Sequence, residues 1–107
     1  MNFYRHGIHP VVAKYFPQFS NAQPSGAFAG LYEINTLDGQ PVVFEGKGLL
    51  VVGGASGSGI MKADAIGRIA AALYEGKEFA ELYGDREFRV SKLSLKHRSV
   101  EQEKLVI

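Results

Sequence analysis

Apolar positions along the chain fall into blocks separated by glycine, proline and small polar residues. The first block, Pro10 to Phe19, carries Val11, Val12, Tyr15 and Phe16. That spacing predicts a short helix opened by Pro10 and ended by Pro17, since proline suits a first turn and cannot continue a later one. Ser20 to Ser25, with Asn21 and Pro24, predicts a loop. Gly26 to Asn35, GAFAGLYEIN, is rich in aromatic and aliphatic residues and predicts a strand. Leu37-Asp38-Gly39-Gln40 then predicts a hairpin turn, with Pro41 to Glu45 as the returning strand and Pro41 at its tolerant first position.

Glu45-Gly46-Lys47-Gly48 predicts a second turn. Leu49 to Val52 has no polar position, which predicts a strand buried on both faces. Gly53 to Gly59, GGASGSG, is a glycine-rich connection, and the segment from Ile60 to Gly76 predicts a helix of about four turns. Ala63, Ile66, Ile69, Ala70 and Leu73 form its packed stripe, and Asp64 with Arg68 makes a favourable pair one turn apart. Gly67, Ala70 and Ala71 would let this helix lie close against a sheet, and Gly76 ends it.

Beyond it, a second short helix is expected over Lys77 to Tyr83, stopped by Gly84, and a short strand over Phe88 to Leu93. Lys96 to Lys104 mixes both charge signs and reads as a solvated tail before the apolar Leu105-Val106-Ile107. No repeat or linker interrupts the chain, so residues 1–107 are expected to form a single domain. The expected fold is α/β, as an α+β fragment. It combines a small, mostly antiparallel sheet, one buried strand, a glycine loop and a long packed helix.

Composition removes several functions. Twelve basic and 11 acidic residues leave a formal charge of +1, so no basic face argues for nucleic acid. There are no cysteines, which excludes disulfides, thiolate metal sites and a cysteine nucleophile and agrees with a cytoplasmic chain. The longest apolar stretch, Gly48 to Ala55, is far short of the ~20 residues of a membrane span. Tyr4, Arg5, His6, Gly7 and His9 break up any apolar signal core at the N-terminus. The chain is expected to be soluble.

Candidate chemistry centres on the order strand, glycine loop, helix. A helix N-terminus presents unpaired N–H groups and about half a positive charge, and glycines let a ligand lie against the backbone. The phosphate-loop pattern fails because Ile60 and Met61 follow Gly59 in place of Lys-Ser/Thr. The dinucleotide pattern G-x-G-x-x-G fails because the glycines run Gly54-x-x-Gly57-x-Gly59. Taken alone, the loop is as consistent with tight strand-to-helix packing as with a ligand site. Elsewhere, His6 and His9 lack a third metal ligand and read as an ordinary surface pair, and Asp38 reads as a turn former.

The segment Gly54-Ala55-Ser56-Gly57-Ser58-Gly59-Ile60-Met61, with Ala63 and Ala65-Ile66-Gly67 after it, resembles a family motif. It is similar to the late strand–loop–helix element of the D-amino-acid oxidase superfamily of FAD-dependent oxidoreductases, most closely the sarcosine, dimethylglycine and glycine oxidase branch. Phe16-Pro17, Ala29-Gly30-Leu31-Tyr32-Glu33, Thr36-Leu37-Asp38-Gly39 and Pro41-Val42-Val43 resemble the preceding segments in the same order. Ser58 stands where many members carry histidine, and Leu37 where they carry proline.

The resemblance implies the C-terminal part of an enzyme that oxidises a C–N bond of a small amine or amino acid. FAD would be its cofactor, and Gly54, Ala55, Ser56, Gly57, Ser58, Gly59, Ile60 and Met61 would face the flavin ring. Some relatives carry a lysine where Met61 falls, and Lys62, one place on, is not given that role. Tyr32 and Glu33 fall where the family's strand passes near the active site; no catalytic acid or base is identified. The strand Leu49 to Val52 would join a sheet built by an N-terminal part carrying G-x-G-x-x-G, a pattern these 107 residues lack. The chain alone is therefore expected to be inactive and to associate as a homo-oligomer or with a partner chain. Two other readings remain: a non-catalytic oligomerisation or subunit-capping module, and a binder of a small anion at Ser56 to Gly59.

Overall fold

The structure, a computed structural model, describes residues 3–102 and 104. The chain divides into two units, one reaching Gly30 and the other starting at Leu31. In the first, a π-helical turn, Tyr4–Ile8, runs into α1 (His9–Tyr15). Pro10 lies in the first turn of α1, and Phe16 leaves helical angles just before Pro17, as the proline ring demands of its predecessor. The chain then makes a 3-10 turn, Pro17–Phe19. The Tyr4 hydroxyl donates to the Ala22 carbonyl at 3.0 Å and His9 Nε2 donates to the Ser20 carbonyl at 2.8 Å, tying the following loop back to the helix.

The second unit holds β1 (Val42–Gly46), β2 (Leu49–Gly53), α2 (Gly59–Tyr74), β3 (Phe79–Leu82) and β4 (Arg86–Arg89), followed by a 3-10 turn, Val90–Leu93. β1 pairs with β2 and β3 with β4, each as an antiparallel two-stranded sheet. The architecture is an α+β fragment. Lys47 and Gly48 join β1 to β2 with positive φ angles of 52° and 75°. Two left-handed residues in a row match the strand twist and set the register, with Gly46 opposite Leu49 and Val42 opposite Gly53.

A small core forms where α2 crosses the two hairpins. Val43, Ile69, Ala72, Ala80, Val90 and Leu93 are buried, and Ile66, Ala70, Leu73, Leu82, Phe88 and Val100 pack around them. α2 ends in a left-handed cap: Gly76 takes φ 71°, its amide donates to Leu73 O at 3.0 Å, and the Lys77 amide donates to Ala72 O at 2.8 Å. Asp64 and Arg68 pair on its exposed side at 2.9 Å, as their spacing predicts.

Several expectations need correction. Gly26 to Asn35 is not a strand; Phe28 and Leu31 lie fully exposed within it. β1 takes its hydrogen bonds from β2 instead, and a lone extended segment has no ladder to hold it. Leu37 to Gln40 accordingly turns the chain without joining two strands. Lys77 to Tyr83 is not a helix: the cap at Gly76 reverses the chain, and Ala80 and Leu82 alternate inward along β3. The strand expected over Phe88 to Leu93 begins earlier, as β4, and its second half coils into the 3-10 turn.

β2 is where expected, but it is not buried: Leu49 is 66% and Leu50 41% exposed, on opposite faces. Among the described residues, nothing pairs with its outer edge. In α2, Ala70 packs against the core as expected, whereas Ala63, Gly67 and Ala71 are exposed and Ala72 is buried in their stead. The apolar Leu105-Val106-Ile107 lies outside the described residues.

The two glycines of α2 and its cap should respond oppositely to alanine. Gly67 lies mid-helix with nothing within 4 Å of an added Cβ, so Gly67→Ala should stabilise by about 0.5–1 kcal/mol. Gly76 is equally open but has φ 71°, so Gly76→Ala should destabilise by roughly 1 kcal/mol. Urea denaturation reads both, and equal signs would contradict the cap.

Candidate functional site

Between the end of β2 and the start of α2 the backbone turns through two left-handed residues, Gly54 at φ 68° and Ser56 at φ 59°. The second is costly for a serine, roughly 1–2 kcal/mol, and needs local compensation. The Ser56 amide donates to the Glu33 carbonyl at 2.9 Å, and the Ser56 and Ser58 hydroxyls hydrogen-bond each other at 3.1 Å. Ser58, which is buried, occupies the N-cap position of α2, yet its hydroxyl makes no cap bond to the helix.

The first turn of α2 is therefore only partly satisfied. Gly59 N donates to Ser56 O at 3.3 Å, and Met61 N and Lys62 N donate to Ser58 O at 3.1 and 3.3 Å. The amides of Gly57 and Ile60 have no protein acceptor among the described residues. Beside them Ile60 is 94% and Met61 74% exposed. Two donors at the positive end of a four-turn helix, flanked by bare apolar side chains, suit a flat ligand with an electron-rich polar edge.

Packing accounts for three of the glycines. A Cβ on Gly53 would lie 2.6 Å from Glu33 Oε1, one on Gly54 2.9 Å from Asn35 Cβ, and one on Gly59 3.1 Å from Ala55 Cβ. These glycines let the loop lie against residues 33–35 and against itself. Tight packing explains neither the unpaired amides nor the exposure of Ile60 and Met61.

Residues 33–41 are held in turn by a polar network. Asn35 Nδ2 donates to Asp38 Oδ1 and to Gln40 O, each at 3.0 Å, and Asn35 Oδ1 accepts from Leu37 N at 3.1 Å. Asp38 Oδ1 also accepts from Gln40 N at 3.0 Å, the turn-forming role expected of it. Sixty residues on, Arg98 grips this carboxylate in a fork, Nε to Oδ2 at 2.5 Å and Nη2 to Oδ1 at 2.6 Å. Arg98 Nη2 also donates to the carbonyls of Gln40 and Pro41, each at 3.0 Å, and Nη1 to that of Leu93 at 3.1 Å. The two side chains are 10% and 13% exposed, so the pair is nearly dry.

Of the residues singled out from sequence, Gly54 to Met61 form one continuous loop and helix start, and Glu33 joins them through its backbone. Tyr32 is exposed. His9 is engaged with Ser20 O and packs its ring 5.7 Å from that of Tyr4. No metal-holding group of three or more acidic, histidine or cysteine residues occurs among the described residues. Arg98 carries no local signal in the sequence: it lies in the mixed-charge stretch Lys96 to Lys104, which reads as a solvated tail, yet its side chain is only 10% exposed. Nothing local separates it from Lys96 or Lys104.

With this geometry in hand, comparison with known families gives a direct result. A protein-family model described as FAD dependent oxidoreductase matches residues 4–73, 70 of the 107 residues. The chain belongs to the FAD-dependent oxidoreductase family. The match covers the glycine loop and nearly all of α2, and it stops before β3. Comparison with curated proteins found no match. No helix among the described residues is long and apolar enough to cross a membrane.

The Asp38–Arg98 pair makes stability depend on pH. The Arg98 hydrogen bonds hold the Asp38 carboxyl below its ordinary value of 3.8, against the upward push of desolvation. The native state then binds this proton less tightly than the unfolded chain does. The stabilisation is complete above the unfolded value and is lost as pH falls through the lower folded one. The thermal midpoint should therefore drop as pH falls below about 4, and Asp38→Asn should be less stable at neutral pH with a flatter profile in that range. Parallel acid profiles for the two proteins would exclude this carboxylate as the titrating group.

Proposed function

We propose that this chain supplies the flavin-ring-facing element of an FAD-dependent oxidoreductase that acts on a C–N bond of a small amine or amino acid. The observation that carries the proposal is the pair of amides, Gly57 and Ile60, that have no acceptor among the described residues, at the positive end of α2 and within the residues matched to the family. The donor set fits the pyrimidine edge of a flavin, whose N1 and C2 oxygen gain negative charge on reduction. Main-chain N–H groups and a helix N-terminus stabilise such charge without reorganising.

In this reading Gly57 and Ile60 hold the polar edge through their amides, and Ile60 and Met61 cover the apolar ring. Gly54, Ala55, Ser56, Ser58 and Gly59 give the loop its shape. Held there, FAD would supply the acceptor for a hydride from the carbon next to the amine nitrogen. In this reading the chain orients the ring and holds charge, and no catalytic acid or base is assigned. The order of motifs from Phe16-Pro17 to Gly67 supports the sarcosine, dimethylglycine and glycine oxidase branch. The ADP half of FAD would be held by residues outside this chain.

The exposure of β2 favours a second reading, a module that assembles with another copy or a partner chain and carries no flavin. One experiment separates the two. FAD is titrated into the purified chain, flavin absorbance and fluorescence are followed, and mass is determined by light scattering. A saturable spectral change, weakened about tenfold or more by Gly57→Val, supports the flavin reading. A chain that associates without any flavin change supports the module, and a monomer without flavin change counts against both.

A further inference from the structure

Arg98 lies beyond the residues matched to the family, and the proposed function assigns it no task. Its guanidinium nonetheless meets five acceptor oxygens: both of Asp38 and the carbonyls of Gln40, Pro41 and Leu93. A planar fork of donors suits this set, and the compact ammonium of a lysine cannot span it.

From these acceptors two short links reach the glycine loop. Asp38 Oδ1 and Gln40 O are the two oxygens to which Asn35 Nδ2 donates. Asn35 Cβ and Gln40 O in turn bound the space beside Gly54, 2.9 and 3.4 Å from a Cβ built there. Two residues before Asn35, the Glu33 carbonyl takes the amide of the left-handed Ser56 at 2.9 Å. The order of support is Arg98, then Asp38 with Gln40, then residues 33–35, then Gly54 and Ser56.

We infer that Arg98 is a positioning residue for the glycine loop, setting the backbone of Gly54 to Gly57 through residues 33–41 although it lies more than forty positions later in the sequence. The functional weight of this inference rests on the flavin reading, whereas its structural half stands without it. Gly57 carries one of the two amides assigned to the flavin, so a shift of a few tenths of an ångström in the loop reaches that donor.

The test is amide hydrogen exchange by NMR on the full chain, comparing wild type with Arg98→Lys, Arg98→Gln and the double variant Asp38→Asn/Arg98→Gln. In both single variants the Ser56 amide should exchange about tenfold faster or more, while the α2 amides of Ile69 and Ala72 stay within about twofold of wild type. The double variant should be no faster at Ser56 than Arg98→Gln alone, because both act through one pair. An unchanged Ser56 overturns the inference. Equal acceleration at Ser56, Ile69 and Ala72 also overturns it, since Arg98 would then be a staple of the whole fold. If Arg98→Gln does not fold, Arg98→Lys, which keeps the charge and loses the fork, decides alone.

FAD titration of the same proteins separates the two layers. Wild type that shows no flavin change while Ser56 responds to Arg98→Lys ends the flavin reading and leaves the positioning intact. Flavin affinity and fluorescence unchanged in an Arg98→Lys protein whose Ser56 has opened would remove the link to the cofactor.

Discussion

Asp38 and Arg98 form the contact on which the path of residues 35–41, and through it the glycine loop, depends. Their sixty-residue separation means that one ion pair closes most of that unit into a loop. Exposed pairs of this kind contribute little, but this one is nearly dry and its remaining donors are used on backbone carbonyls. Removing one partner would leave the hydrogen-bonding groups of the other unmet, at a cost of about 1–3 kcal/mol that falls first on residues 35–41.

The pair also explains why residues 35–41 keep a defined path without a strand ladder. Backbone groups that would otherwise bond across a sheet are met by Asn35, Asp38 and Arg98. That path then bounds the glycine loop, so the loop's two left-handed residues are stabilised from behind by its packing and by the Glu33 carbonyl. The outer surface, meanwhile, keeps Gly57, Ile60 and Met61 open. Rigidity behind and exposure in front are what a binding element requires.

Local signals in the sequence proved sufficient wherever one rule dominated. Pro10 and Pro17 bracket α1, the Lys47-Gly48 turn and the unbroken run after it define β2, and the stripe Ile66, Ile69, Ala70 and Leu73 with Gly76 defines α2. The glycine loop was legible as a site candidate because chemistry there depends on backbone, which glycine spacing reports. Reading failed where tertiary context chose between conformations. GAFAGLYEIN has strand composition but no partner, and KEFAELY has helical spacing but follows a cap that turns it into a hairpin. Arg98 was invisible for the same reason, because its five acceptors come from two stretches of chain brought together only by folding. The exposure of β2 was missed because an unbroken apolar run reports what a strand is suited to meet, and the described residues do not supply it.

In the proposed function this chain meets the ring end of a flavin and not its nucleotide end. The most direct measurement is an amide chemical-shift titration with two halves of the cofactor, riboflavin and ADP, added separately to the labelled chain. Riboflavin should shift Gly57 and Ile60 first and by the largest amount, with ADP leaving both unmoved. ADP shifting those amides, or riboflavin acting only at residues away from the loop, would contradict it.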